Sequence, residues 1–317
     1  MRGAVIEAPR RVRIERLPDP MPGPGQVRIE IEGCGVCASS LPTWEGRPWF
    51  RYPGVPGAPG HEGWGRIDAV GDGVSGLSVG ERVAMLSYNA FADRDVAHAD
   101  CVVKLPPGLS GKPFPGEALA CAMNIFERAE IAAGQHVAIV GVGFLGAILV
   151  KLAARAGAHV VGISRRPFAL ETALRFGAEA ALPMGERGEV VRQVMDWASG
   201  RCCERVIEAV GNQEALDLAS DLVGERGRLV IAGYHQDSPR SVDMQQWNWR
   251  GIDVINAHER DPRVYVRGMR AAIDLVTSGQ LEIEDVCTHV FSLDRLSDAL
   301  EAVRTRAPGL IKAWVAP

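Results

Sequence analysis

The sequence predicts an α/β protein in two domains, one on a doubly wound parallel sheet and one rich in short β-strands. Three observations predict it. Residues 136–167, HVAIVGVGFLGAILVKLAARAGAHVVGISRRP, place a glycine-spaced turn between an apolar run and a helix-like stretch. From about Glu117 onward, strand-like and helix-like segments alternate, which implies a parallel sheet with right-handed crossovers. The first third instead breaks into short runs at Gly and Pro clusters, residues 18–25, 53–60 and 71–80, as a β-rich domain built on turns does.

In chain order, MRGAVIEAPRRVRIERLPDP alternates like a strand and lacks the continuous apolar core of a signal peptide. After the turn-rich third, the parallel-sheet region opens on the strand at residues 137–140 and the helix behind the glycine turn. It continues through a second strand at 160–163, the helix ALETALRFGA, the strand AALPM and a helix around residues 189–198. RVIEAV, a helix around 213–222, RLVIAGY and a strand at 253–257 complete it. A helix over 263–278, the strand THVFSL, a short helix and the strand LIKAWVA follow, and this tail is expected to return to the first domain. The expected division is residues 1–122 with 262–317, and residues 123–261.

Composition bounds the function. A chain of 317 residues is long enough for two domains, and its net charge of −4 offers no broad basic surface for nucleic acid. No apolar run approaches a membrane span. Seven cysteines, an odd number without a regular framework, suit a reducing compartment, and a cytoplasmic protein is expected.

The glycine turn carries the first piece of chemistry. Gly141, Gly143 and Gly146 form G-x-G-x-x-G, with Phe144 and Leu145 between the last two. Gly141 permits the tight turn, Gly143 removes a side chain where a pyrophosphate approaches the backbone, and Gly146 lets helix and strand pack closely. The context is that of a Rossmann dinucleotide site. Val210, Ala232, Gly233 and Tyr234, at the ends of RVIEAV and RLVIAGY, are further cofactor-contact candidates. At the end of the second strand stand Ser164, Arg165 and Arg166, where an NAD site usually places an acid that bonds the ribose 2′-hydroxyl. Uncharged Ser164 and two arginines able to bond a 2′-phosphate predict a preference for NADP over NAD.

The second piece lies upstream. Cys37 in EGCGVCASS and the adjacent pair His61 and Glu62 in PGHEGWG offer thiolate, imidazole and carboxylate, all of them zinc ligands, and GEALACAMN adds Glu117 and Cys121. Cys34 makes C-x-x-C with Cys37, but no thioredoxin-like pattern surrounds the pair, and buried packing is the expected fate of Cys34. Trp44, Trp49, Phe50 and Tyr52 suit either a substrate cleft or the core, and Trp247 and Trp249 suit core or an interface. His98, His235, His258 and His289 have no motif around them.

Taken together, the cysteine with a serine two residues on, the Gly-His-Glu turn, VGDGVSGLSVGERV, the Glu-x-x-Ala-Cys segment and the glycine turn resemble the zinc-dependent medium-chain alcohol and polyol dehydrogenases over almost the whole chain. The resemblance implies a GroES-like catalytic domain beside the Rossmann domain, with substrate in the cleft between them. It implies one catalytic zinc held by Cys37, His61 and Glu117, Cys121 being the alternative ligand, with Glu62 able to exchange with water or substrate. It implies that Ser39 takes the alcohol proton. Relatives bind a structural zinc through four closely spaced cysteines, whereas residues 83–103 here hold only Cys101, so no structural zinc is expected. Ser40 and Pro42 stand where relatives commonly have an aspartate that supports the histidine and a histidine that relays the proton.

The expected activity is therefore hydride transfer between NADP(H), or NAD(H), and a small alcohol or carbonyl compound, by a homodimer or homotetramer. Two alternatives stay open: a zinc-free NADPH-dependent enoyl or quinone reductase of the same fold, and a non-catalytic nucleotide-sensing or structural protein.

Overall fold

The computed structural model describes residues 1–317, and the chain divides into two compact units, Met1–Ala120 with Asp261–Pro317, and Cys121–Arg260. In chain order the first unit begins with β1 (Arg2–Ala8) and β2 (Arg11–Arg16), an antiparallel hairpin. There follow β3 (Gln26–Val36), the short helix α1 (Leu41–Glu45), β4 (Glu62–Val70), β5 (Arg82–Met85), β6 (Arg94–His98) and β7 (Val102–Lys104). Helix α2 (Gly116–Ala129) leads into β8 (His136–Val140), α3 (Phe144–Arg155), β9 (His159–Ser164), α4 (Pro167–Arg175), β10 (Ala180–Pro183) and α5 (Arg187–Trp197). Then come β11 (Cys203–Glu208), α6 (Gln213–Leu222), β12 (Val223–Ile231), α7 (Met244–Arg250) and β13 (Asp253–Asn256). The tail adds α8 (Pro262–Thr277), β14 (His289–Ser292), α9 (Leu296–Thr305) and β15 (Ala313–Ala316).

The first unit is built on a sheet ordered β14-β15-β3-β4-β5-β7, with β6 also pairing β3. Strand β3 shows why it forms: Val27, Ile29 and Ile31 are buried, while Arg28 and Glu30 between them are not, the period-2 pattern of a half-buried strand. Its apolar face joins one core with Phe91 and with Leu296, Leu300 and Val303 of α9. Register does the functional work, because Gly35 of β3 pairs with Glu62 on one side and with Trp314 on the other. The end of β3, the start of β4 and the start of β15 therefore meet at one place.

The second unit is a six-stranded parallel sheet in the order β10-β9-β8-β11-β12-β13. Numbered within the unit this is the order 3-2-1-4-5-6, so the strand order reverses between β8 and β11 and opens a crevice at their carboxyl ends. Val140, Ile163, Val206 and Leu229 from the strands pack with Leu216, Leu218 and Leu222 of α6. Helix α7 escapes a reading by hydrophobic period, because seven residues with two tryptophans carry none; its signals are local. Asp243 caps its start by accepting the Gln246 N–H, and Gly251 ends it in the left-handed conformation at φ 58°. No helix of the protein is long and apolar enough to cross a membrane.

Candidate active site

Cys37 follows β3, His61 immediately precedes β4 and Glu62 opens it, so the pairing of these two strands brings thiol, imidazole and carboxylate together. One ligand atom from each lies within 4.8 Å of the other two. Glu117 and Cys121 are not among these three, although the Glu117 charge acts on His61. Burial alone would lower the pKa of His61, but its bond to Cys37 and the negative charges of Cys37, Glu117 and Glu62 push it up to about 10. The pocket around this imidazole favours a cation.

The imidazole is held by the backbone. Nδ1 lies 2.7 Å from the Pro59 carbonyl and so carries a hydrogen; when a cation takes the place of the second proton, the neutral ring offers it the Nε2 lone pair. Ser40 is buried with its hydroxyl 3.5 Å from the same carbonyl. Histidine support thus comes from a main-chain oxygen that no side-chain motif reveals. Ser39 Oγ stands 3.5 Å from His61 Nε2, and the ring of the exposed Tyr88 stacks beside His61, centroids 6.3 Å apart.

Glu62 is fully buried and is met by a residue that sequence reading passed over: Lys312, just before β15, donates to Glu62 Oε1 at 2.5 Å and is itself only 5 % exposed. Burial works against the Lys312 charge, but the charges of Glu62 and Cys37 and the bond to Glu62 hold its pKa above the usual lysine range. Glu62 Oε2 has no hydrogen-bond partner. It packs on the bare α-carbon of Gly35, where an added Cβ would come within 1.8 Å of it. A buried carboxylate with one unpartnered oxygen, clustered with a thiol and an oriented imidazole, fits a metal ion of zinc character. The one sequence signal for Lys312 was a lysine inside the apolar run LIKAWVA.

Other candidates disperse. None of the seven cysteines is in a disulfide; Cys34 is fully buried, and burial raises its thiol pKa well above the ordinary range, which removes it from thiolate chemistry. Trp44 belongs to the core and Trp49 is exposed. Trp247 packs against the core of the parallel-sheet unit, while Trp249 is 87 % exposed.

In the second unit the glycine turn has the geometry its spacing asks for. Gly141 is at φ 101°, a Cβ at Gly146 would fall 1.9 Å from the Gly141 oxygen, and a Cβ at Gly143 would meet nothing within 4 Å. Gly143 thus faces open space at the start of α3, with Phe144 buried and Leu145 half-buried behind it. At the end of β9, Ser164 is buried, Arg165 forms an exposed ion pair with Glu214, and Arg166 reaches back to the Val142 carbonyl at 3.2 Å. Val210 and Tyr234 are exposed at the ends of β11 and β12, with Ala232 and Gly233 half-buried beside them.

Residues 23–123 match the sequence profile of the alcohol dehydrogenase GroES-like domain, and residues 145–277 that of the zinc-binding dehydrogenases. The chain is 26 % identical over 312 residues to the 2-dehydro-3-deoxy-L-galactonate 5-dehydrogenase of Pseudoalteromonas atlantica, covering 88 % of each chain. It is 24 % identical over 325 residues to the sorbitol dehydrogenase of Halalkalibacterium halodurans, covering 92 % of each. Among solved structures, an alcohol dehydrogenase of Escherichia coli CFT073 in complex with NADH superposes with a TM-score of 0.87 at 22 % identity, covering 100 % of this chain and 99 % of that one.

Proposed function

The chain belongs to the zinc-binding medium-chain dehydrogenases of the alcohol and polyol type, and from that premise we propose that it moves hydride between NADP(H) and the carbinol or carbonyl carbon of a small polyol or sugar acid. One observation carries the reading: the donor atoms of Cys37, His61 and Glu62 converge within 4.8 Å, and one buried oxygen of Glu62 has no hydrogen-bond partner. These three residues would hold one zinc ion, with Glu117 or Cys121 completing the set. A zinc ion bound there supplies Lewis acidity toward an alcohol or carbonyl oxygen.

The chain's own residues do the rest. The Pro59 carbonyl fixes the His61 tautomer, and Lys312 offsets the Glu62 charge. In oxidation Ser39 Oγ accepts the substrate O–H proton as it passes on its own hydroxyl proton, and in reduction it gives a proton back; a nicotinamide bound there would supply or take up the hydride. Pro42, buried in α1, has no proton to exchange, so the proton leaves Ser39 through water or a cofactor hydroxyl. The carboxyl ends of the parallel strands would hold the dinucleotide, and the open space at Gly143 would leave room for its pyrophosphate. NADP(H) is preferred because the end of β9 offers two arginines and no acid.

The test is metal analysis of the wild type and Cys37→Ser, with a screen of polyols, sugar acids and secondary alcohols against NAD and NADP. One zinc per chain and alcohol-dependent nucleotide reduction, both lost in Cys37→Ser, are expected, since a hydroxyl is a poor substitute for thiolate on zinc. Metal-free turnover of an enone or quinone would assign the chain to the zinc-free reductases. Nucleotide binding with no turnover would favour a non-catalytic role.

A further inference from the structure

Apart from Glu62, the protein has one other fully buried glutamate, Glu208, the last residue of β11. Its main-chain oxygen accepts the N–H groups of Ala232 and Gly233, both at 2.8 Å. Its carboxylate Oε1 accepts those of Val210 and Gly211, both at 2.7 Å. The other oxygen, Oε2, lies 2.9 Å from His235 Nε2, and His235 Nδ1 lies 2.8 Å from Arg240 Nε. Arginine has no acceptor, so Nδ1 must accept and Nε2 must carry the hydrogen, which fixes one neutral tautomer of His235 between an acid and a base. Arg240 closes the ring by donating from Nη2 to the Gly211 carbonyl at 3.0 Å, and it also pairs with Asp237.

The loops joined in this way are packed without slack. An added Cβ at Gly141 would come within 2.5 Å of Val210, one at Gly233 within 2.3 Å of the Gly211 nitrogen and 2.6 Å of Glu208 Oε2. Gly211, at φ 89°, has the Tyr234 backbone within 3 Å of where its Cβ would be. The turns after β8, β11 and β12 therefore touch backbone to backbone, and the Glu208–His235–Arg240 chain is the polar pin through the last two. Sheet order says what those two turns meet. With the pyrophosphate over the β8 turn and the adenine ribose at the end of β9, the other half of a dinucleotide must extend the opposite way, over β11 and β12.

We propose that His235 is a positioning residue for cofactor binding: by linking Glu208 to Arg240 it holds the turns 209–211 and 232–234 in the arrangement that receives the nicotinamide half of the dinucleotide. This rests on the dinucleotide site proposed above and adds the means by which its second half is shaped. No motif surrounds His235, so only the folded structure reveals the link.

The adenine half binds elsewhere on the sheet, and that separates positioning from general stability. The experiment measures the affinity of the zinc-loaded protein for NADPH, NADH and ADP, by quenching of protein fluorescence for the dinucleotides and calorimetry for ADP. In His235→Leu the Glu208 oxygen loses its partner, and binding of NADPH and NADH should weaken about tenfold or more while ADP affinity stays within about twofold. His235→Gln, whose amide keeps one donor and one acceptor, should recover most of the loss. Arg240→Met removes the far end of the chain while leaving Glu208 paired, and should reproduce the selective loss should the leucine variant not fold. Wild-type dinucleotide affinity in a folded His235→Leu or Arg240→Met protein, or equal losses for ADP and NADPH, would overturn the proposal. A wild-type protein that binds ADP as tightly as the dinucleotides would show that these turns add no affinity and would also overturn the proposal, whereas one that binds none of them would remove the cofactor site on which it stands.

Discussion

Lys312 and Glu62 are 250 residues apart, both buried, and joined by a 2.5 Å ion pair at the edge of the candidate metal site. Such a pair is costly to break from one side, because removing the cation leaves an uncompensated buried carboxylate; the typical loss is about 3–5 kcal/mol. Lys312→Met is therefore expected to destabilise the protein by that order, read as a fall in the urea midpoint at constant slope. Glu62→Gln combined with Lys312→Met removes both charges and should recover most of the loss. If the single variant unfolds at the wild-type midpoint, water reaches the pair and the burial argument is wrong.

Strands β3, β4 and β6 are tied at their solvent-facing side by Asp68, whose two oxygens each accept from an arginine, Arg28 and Arg94, at 2.8 Å. Partial burial works to raise the Asp68 pKa, but the bonds to Arg28 and Arg94 and their charges outweigh it and hold the carboxyl below its usual value. The sign follows from the depressed folded value. This contribution is fully present above the unfolded carboxylate pKa of about 4 and is lost as pH falls through the lower folded value. At pH 7 Asp68→Asn should cost about 1.5–3 kcal/mol, the range for hydrogen bonds to charged groups. The difference between variant and wild type, followed by urea unfolding, should shrink below about pH 4. A difference independent of pH would show that Asp68 acts through shape and not through charge. Helix α8 illustrates the same locality in a helix: Asp261 caps it by accepting the Arg263 N–H, and Pro262 fills the first turn.

At the scale of the whole molecule, a ligand that binds only the folded chain stabilises it by mass action, about 2.7 kcal/mol at a concentration one hundred times its Kd. A tenfold preference for one dinucleotide corresponds to about 1.4 kcal/mol. NADPH is therefore expected to raise the midpoint of thermal unfolding by a few degrees more than NADH at equal, near-saturating concentration. Arg165→Ala with Arg166→Ala should remove the difference. The exposed pair of Arg165 with Glu214 is worth little in water, so it does not withhold that arginine from a phosphate. Greater protection by NADH, or a difference that survives the double variant, would reverse the assignment of the β9 terminus.

Much of this protein was legible in sequence because it is written locally. The glycine spacing at 141, 143 and 146 and the alternation of strands with helices specify a parallel nucleotide-type sheet, since turn geometry and hydrophobic period act over a few residues. Cys37 and the His61–Glu62 pair declared themselves by ligand chemistry, and the pairing of β3 with β4 brings them together. What the sequence could not show is contact across distance. Trp44 and Trp49 look alike in the chain, yet one lies in the core and the other in solvent. A main-chain oxygen at Pro59 orients His61, Lys312 offsets Glu62, and Glu208, His235 and Arg240 pin two loops together. Strand register and burial decide these contacts. A side chain's hydrogen-bond partner is whatever the fold places within about 3 Å of it, and the order of residues along the chain does not fix that distance.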